Sequence, residues 1–221
     1  MVEKKMAHSE HSSEVEGSNE LYRIRHSLAH VLAQAVMELR PGSTLGFGPP
    51  IADGFYYDFI LSEPLTEDDF PELERRMKKI LKKGQKFYRE DLDTADAMAR
   101  LEEMGEPYKR EYGEELVAKH ELEGLSFYRN GPFLDMCEGP HVETTKDIPR
   151  DAFKLRSVAG AYWRGDSDNV MMTRIYASAF SSRETFEEHI ARWEDAQARE
   201  HMKLGRELGI YAIDSDIGRG L

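Results

Sequence analysis

Apolar residues recur at helical spacing near the start of the chain: Ile24, Leu28, Val31, Leu32, Ala35 and Leu39 fall on one arc at roughly 100° per residue. This period predicts a helix from about Asn19 to Arg40, stopped by Pro41-Gly42. His26 and His30 lie nearly opposite the arc beside Ala33 and Met37, and Ser27, Gln34 and Glu38 make a narrow polar strip. Apolar residues on both sides of the histidines predict a helix buried over most of its circumference, with the two imidazoles at the edge of a cleft.

The later pattern alternates between short β-type runs and helical periods. Gly46-Phe-Gly-Pro-Pro50 reads as a rigid turn before an aromatic strand at 54–59. Thr66 and Asp69 open a helix carrying Phe70, Leu73, Met77, Ile80 and Leu81, with Gly84 as its stop. A strand is expected at 86–92, then a short helix capped by Thr94 and ended by Gly105 and Pro107, then an acidic helix over 111–123. Residues 126–136 read as a hairpin about Asn130-Gly131, and 153–163 and 170–180 as two antiparallel strands. From Ser182 a helix with Phe186, Ile190, Trp193, Leu204 and Leu208 runs to Gly209. At about 1.5 Å per residue it reaches roughly 40 Å, the length of a connector. The pattern as a whole is α+β: an antiparallel sheet packed against the helix that carries His26 and His30, a small α/β insert, and a long C-terminal helix.

Composition narrows what such a fold can do. With 221 residues, 40% of them hydrophobic, the chain can bury a core without a disulfide or a structural metal. One cysteine excludes an internal disulfide framework and fits a reducing cytoplasm; no apolar run is long enough for a signal peptide or a membrane span. A net charge of −12 argues against gripping nucleic acid over a broad surface, so contact with it should be local. Residues 1–18 are polar and without period, as in a disordered leader.

The candidate chemistry lies in two stretches of equal spacing, His26-Ser-Leu-Ala-His30 and Cys137-Glu-Gly-Pro-His141. Imidazoles four apart on a helix share a face, and a strand reaching Cys137 would turn Asp135 to the same side. Three imidazoles and a thiolate can surround zinc tetrahedrally, either as a closed structural site or with one ligand released to admit a water of lowered pKa. Without metal, His26 or His30 with Asp135 and Lys109 could orient and deprotonate a water for attack on an ester. A plainer alternative leaves Cys137 as a small buried hydrophobe and the histidines hydrogen-bonded internally.

Several separate stretches, in order, resemble the N-terminal editing module of bacterial-type threonyl-tRNA synthetases, which is related to alanyl-tRNA editing proteins. They are His26–His30, Gly48-Pro-Pro-Ile-Ala-Asp-Gly-Phe-Tyr-Tyr-Asp58, Glu106-Pro-Tyr-Lys109, Asp135-Met-Cys-Glu-Gly-Pro-His141, Ala159–Ser167 and Arg174-Ile-Tyr176. The likeness extends from about His26 to Tyr211, and its last part resembles a linker helix leading into a ligase domain. It implies hydrolysis of serine wrongly esterified to the 3′ end of tRNA(Thr), with the threonyl ester spared. His26 and Lys109 would position or activate the attacking water, and His30, Asp135, Cys137 and His141 would shape the pocket. The alanyl relatives hold zinc on such His and Cys residues, whereas the threonyl branch edits without it, so zinc stays open here and no cofactor is required. The resemblance divides the chain into a leader (1–18), an editing domain (19–181) with an α/β insert (62–124), a linker helix (182–209) and the start of a ligase domain (210–221). It further implies a small ubiquitin-like domain ahead of the module, and ligase and anticodon-binding domains beyond Leu221. ATP-dependent attachment of threonine would belong to that ligase domain. Lys109, Arg110, Lys154, Arg156 and Arg164 are the candidates for local phosphate contacts.

Overall fold

The computed structural model describes residues 19–198. The expected leader over 1–18, the end of the C-terminal helix with Leu204, Leu208 and Gly209, and the 210–221 segment lie outside the described residues.

The fold is α+β, with two antiparallel sheets and five helices among the described residues. Helix α1 (Asn19–Leu39) follows the sequence pattern closely, and its apolar arc packs on the larger sheet through Ile24, Leu28, Val31, Leu32 and Ala35. That sheet has β1 (Thr44–Leu45), β3 (Gly54–Ile60), β8 (Met171–Ala179) and β7 (Phe153–Tyr162) in this spatial order, with β2 (Pro50–Ile51) also paired to β3. Phe55, Tyr57 and Phe59 point inward from β3 and are fully buried. Arg25 fastens α1 to the sheet: Nε donates to the Ala179 carbonyl at 2.9 Å and Nη1 to that of Ile51 at 3.2 Å. Helix α2 (Phe70–Lys83) lays Phe70, Leu73, Met77, Ile80 and Leu81 against the same core.

A second, smaller core lies beside it. Strands β4 (Phe87–Asp93), β5 (Gly124–Asn130) and β6 (Phe133–Met136) form a three-stranded sheet covered by α3 (Thr94–Met104) and α4 (Pro107–His120). The 62–124 segment is thus shared between the two cores, since α2 packs on α1 and β4 pairs with β5 along its length.

Local details differ from the sequence reading. Asp93, not Thr94, caps α3, its Oδ1 accepting the Asp96 N–H at 2.9 Å, while the Thr94 hydroxyl donates to the Leu122 carbonyl. The acidic helix begins at Pro107 rather than at 111, because proline in the first turn lacks only an N–H that would have no intrahelical partner. Lys109 therefore sits on the first turn of α4. The β5–β6 turn is Gly131-Pro132, with Asn130 still paired to Phe133. Strands β1 and β2, each two residues long, fall on either side of the expected rigid turn and are too short for an alternating pattern. Helix α5 (Arg183–Ala198) starts where expected, and its Trp193 lies under the Arg156 guanidinium at 3.8 Å.

Candidate functional site

The seam between the two cores brings the sequence-predicted residues together. From the first core, α1 contributes His26 and His30 one turn apart. From the second, β6 delivers Asp135, the segment after it delivers Cys137 and His141, and α4 delivers Lys109. One donor atom from each of His26, His30, Cys137 and His141 lies within 4.8 Å of the others. Cys137 Sγ is 3.2 Å from His26 Nε2 and 3.4 Å from His141 Nε2. The chain folds back after Cys137 through Gly139, which has φ 77° and whose N–H donates to Sγ at 3.3 Å. A Cβ there would come within 2.4 Å of the Tyr128 hydroxyl, so both backbone shape and space require glycine.

His141 is clamped on every side. Its ring stacks on Phe87 at 4.8 Å and 6°, and the His26 and His30 rings each lie 4.3 Å away. Ser27 Oγ is 3.1 Å from His141 Nδ1 and accepts the Val142 N–H at 3.1 Å, so this hydroxyl fixes the ring's orientation. Ser27 and Gln34, read from sequence as a polar strip, are in fact buried; Gln34 Oε1 accepts from Asn130 Nδ2 at 3.0 Å. The expected cleft edge is filled: His30 is 1% exposed, and His26, although partly exposed, has its Nδ1 shut off from solvent.

Beside the His/Cys cluster lies a buried ion pair. Lys109 Nζ is 2.9 Å from Asp135 Oδ1, donates to Oδ2 at 3.2 Å and to the Met136 carbonyl at 3.3 Å. Tyr57 crosses from the larger sheet to donate its hydroxyl to Asp135 Oδ2 at 2.5 Å, and His30 Nε2 approaches the same oxygen at 3.7 Å. The rings of Tyr57 and Phe47 flank the ammonium at 5.7 and 5.8 Å.

Burial sets the protonation states. Desolvation, helped by His30, holds His26 down at about 3, with Asp135 and the Pro140 carbonyl pulling it partway back. Desolvation and the Lys109 charge hold His30 at about 3, and desolvation with the two neighbouring imidazoles holds His141 well below the usual histidine range. The Cys137 thiol is pushed up to about 12 by burial and by Asp135. At neutral pH the cluster is three neutral rings and a thiol, the histidines being in the state that can accept a hydrogen bond or bind a metal. In the unfolded chain the histidines protonate near 6.5, so between about 6.5 and 3 the unfolded state binds protons that the native state refuses, and stability falls as pH is lowered through that window. Glu106, raised to about 7 by burial, acts in the opposite sense between about 4.5 and 7, but as one group against three. Metal-free protein is expected to lose about 3 kcal/mol of unfolding free energy between pH 7.5 and 5. Urea unfolding at the two values checks this; an unchanged or higher midpoint at pH 5 would contradict it.

The donor set suits a divalent metal. Tetrahedral zinc with nitrogen and sulfur ligands places its donors roughly 3.3–3.7 Å apart. The two Cys137 contacts, to His26 Nε2 and His141 Nε2, are close to that spacing. His26, His30, Cys137 and His141 would hold the ion; zinc there would supply Lewis acidity and a bound water of lowered pKa.

Of the basic residues named from sequence, only Lys109 reaches this centre. Arg110 pairs with Glu102 and Glu114, Arg164 with Glu111 and Glu115, and the Arg156 guanidinium bonds Ser178 Oγ. Tyr57, Ser27 and Asn130 were not singled out from sequence. Tyr57 had one available signal, a polar-tipped ring at an inward strand position, but its partner lies 78 residues away.

Residues 125–176, the stretch from β5 through Cys137 and His141 to β8, match the family model of the threonyl and alanyl tRNA synthetase second additional domain. Beyond that stretch the chain is similar, along nine tenths or more of its length, to threonine–tRNA ligases. It is 46% identical over 212 residues to the threonine–tRNA ligase of Mycobacterium avium (strain 104), covering 90% of this chain and 30% of the ligase. The Gloeobacter violaceus (strain ATCC 29082 / PCC 7421) ligase is 45% identical over 201 residues, covering 91% and 32%, and that of Borrelia hermsii (strain HS1 / DAH) 42% over 210 residues, covering 95% and 35%. The chain thus spans about a third of the length of these relatives. Among the described residues no helix is long and apolar enough to cross a membrane.

Proposed function

We propose that this chain is an aminoacyl-tRNA editing hydrolase that cleaves the ester joining serine to the 3′ end of tRNA(Thr) and spares the threonyl ester. The observation that carries the reading is the buried convergence of His26, His30, Cys137 and His141 with the Lys109–Asp135 pair, in a chain sharing 41–47% identity with threonine–tRNA ligases. Hydrolysis of an ester needs an oriented water and a positive group where negative charge develops on the carbonyl oxygen. Lys109, held by Asp135 and the Met136 carbonyl, supplies the positive group. His26 supplies a hydrogen-bond acceptor for the water. With its pKa near 3, its contribution is orientation more than full proton abstraction. His30, Asp135, Cys137 and His141 form the wall, braced by Phe87, Ser27 and Tyr57. A rigid wall can exclude the additional methyl of threonine or let it displace the water, which is the kind of discrimination a small pocket achieves.

In this reading zinc is not required, and 182–209 is the linker toward ligase and anticodon-binding domains of a larger enzyme, where ATP-dependent attachment of threonine would reside. The setting is cytoplasmic. Incubating the purified chain with seryl-tRNA(Thr) tests the activity: serine release well above the spontaneous rate is expected, and release at the spontaneous rate, both from this chain and from a version extended with the ligase domains, would refute it.

A further inference from the structure

Helix α4 starts with Glu106 at its N-cap, yet the carboxylate does not cap its own helix. It crosses instead to the larger sheet, where Oε2 accepts the backbone N–H of Leu45 in β1 at 2.7 Å. The Glu106 backbone is held at both ends: its N–H donates to the Leu101 carbonyl at 3.0 Å and its carbonyl accepts from Arg110 at 3.0 Å. Glu106 is 4% exposed, and it interacts electrostatically with Asp135 and with Lys109, three residues further along the same turn. Leu45 leads through Gly46 into Phe47, whose ring lies 5.8 Å from the Lys109 ammonium and stacks on Trp163 at 4.7 Å. One carboxylate thus grips both the helix that carries Lys109 and the strand end that carries its aromatic neighbour.

We propose that Glu106 is a positioning residue for Lys109, fastening the first turn of α4 to β1 so that the ammonium stays against Asp135. The proposal rests on the esterase reading above for its kinetic consequence, but the placement of Lys109 stands independently of it. A glutamine would accept the same hydrogen bond with less desolvation cost, so the ionisable group adds a dependence on pH. The charged and titratable groups facing Glu106 are Lys109 on α4, Asp135 on β6 and the Tyr57 hydroxyl on β3. Burial and Asp135 raise its carboxyl to about 7, against the Leu45 N–H and Lys109. Protonation below that value weakens the acceptor that holds β1, loosening the hold on Lys109.

The test compares wild type, Glu106→Gln and Glu106→Ala in the full chain, with folding of each followed by circular dichroism. Displacing a charged group from its working position by about an ångström costs up to about a hundredfold, so Glu106→Ala is expected to lower kcat for serine release about tenfold with KM little changed. Glu106→Gln should keep at least about half of kcat, and the rise in wild-type kcat centred near pH 7 should be missing from its profile. The second readout needs no editing activity: the rate at which a small acylating reagent modifies Lys109, read by peptide mass spectrometry, should rise about tenfold in Glu106→Ala and stay near wild type in Glu106→Gln. Wild-type Lys109 reactivity in Glu106→Ala would overturn the proposal, as would equal loss of kcat in both variants. Absence of serine release from wild type and from the version extended with the ligase domains would refute the esterase reading alone and leave the acylation result to decide the role of Glu106.

Discussion

His26→Ala is expected to lower serine release from seryl-tRNA(Thr) by at least about a hundredfold, the scale of losing a group that places a water against the scissile carbonyl. The ring stands where the two halves of the site meet. Its Nε2 is 3.2 Å from Cys137 Sγ, its face is 4.3 Å from His141, and it lies 5.5 Å from His30, edge to face. The fold should survive the change, because the apolar arc of α1 that packs on the sheet is on the other side of the helix and Arg25 still bonds the Ala179 and Ile51 carbonyls. Single-turnover release, measured alongside the circular dichroism spectrum, separates the two effects. A folded variant that retains a rate within about threefold of wild type would remove His26 from the role given to it here.

Asp135→Asn is expected to destabilise the protein by about 3–5 kcal/mol, the range for breaking one partner out of a buried ion pair. Both members are almost fully enclosed, at 2% and 4% exposure, so the Lys109 ammonium would be left with the Met136 carbonyl and an amide in place of a carboxylate. Tyr57 can still donate to the amide oxygen, so the cost falls mainly on the uncompensated charge. Removing both charges in Lys109→Met with Asp135→Leu should restore a large part of the stability while abolishing activity, because a well-packed apolar pair avoids the desolvation cost. Urea unfolding of the single and double variants checks this. A single variant within about 1 kcal/mol of the parent would show that water reaches the pair and screens it.

How much of this was legible in the sequence depends on the distance over which each feature is determined. Helix α1 and the common face of His26 and His30 follow from a 3.6-residue period within 21 residues, and α2 follows from its own apolar period and from Gly84. The Cys137–His141 pair was visible as a spacing, although its meeting with α1 depends on contacts more than 110 residues apart. Lys109 could be named as a candidate but not placed, since Pro107-Tyr-Lys reads locally as the end of one helix and proves to be the start of another. The pairings that hold the site, Tyr57 on Asp135 and Glu106 on Leu45, are specified by no local pattern. They connect elements of different cores, and neither periodicity nor composition specifies which strand faces which helix. The same limit explains the sheets: the 54–59, 126–136, 153–163 and 170–180 segments were all readable as strands, but their division between two cores, with β4 beside β5, is a property of tertiary packing.

The most direct measurement for the whole account is the ratio of serine to threonine release from tRNA(Thr) by the purified chain, each rate taken with and without a chelator. Fast serine release with threonine spared, unchanged by the chelator, is the predicted result and would establish selective ester hydrolysis by the residues gathered at this seam. Equal rates for the two esters would contradict the account, because a site that cannot distinguish one methyl group does not proofread.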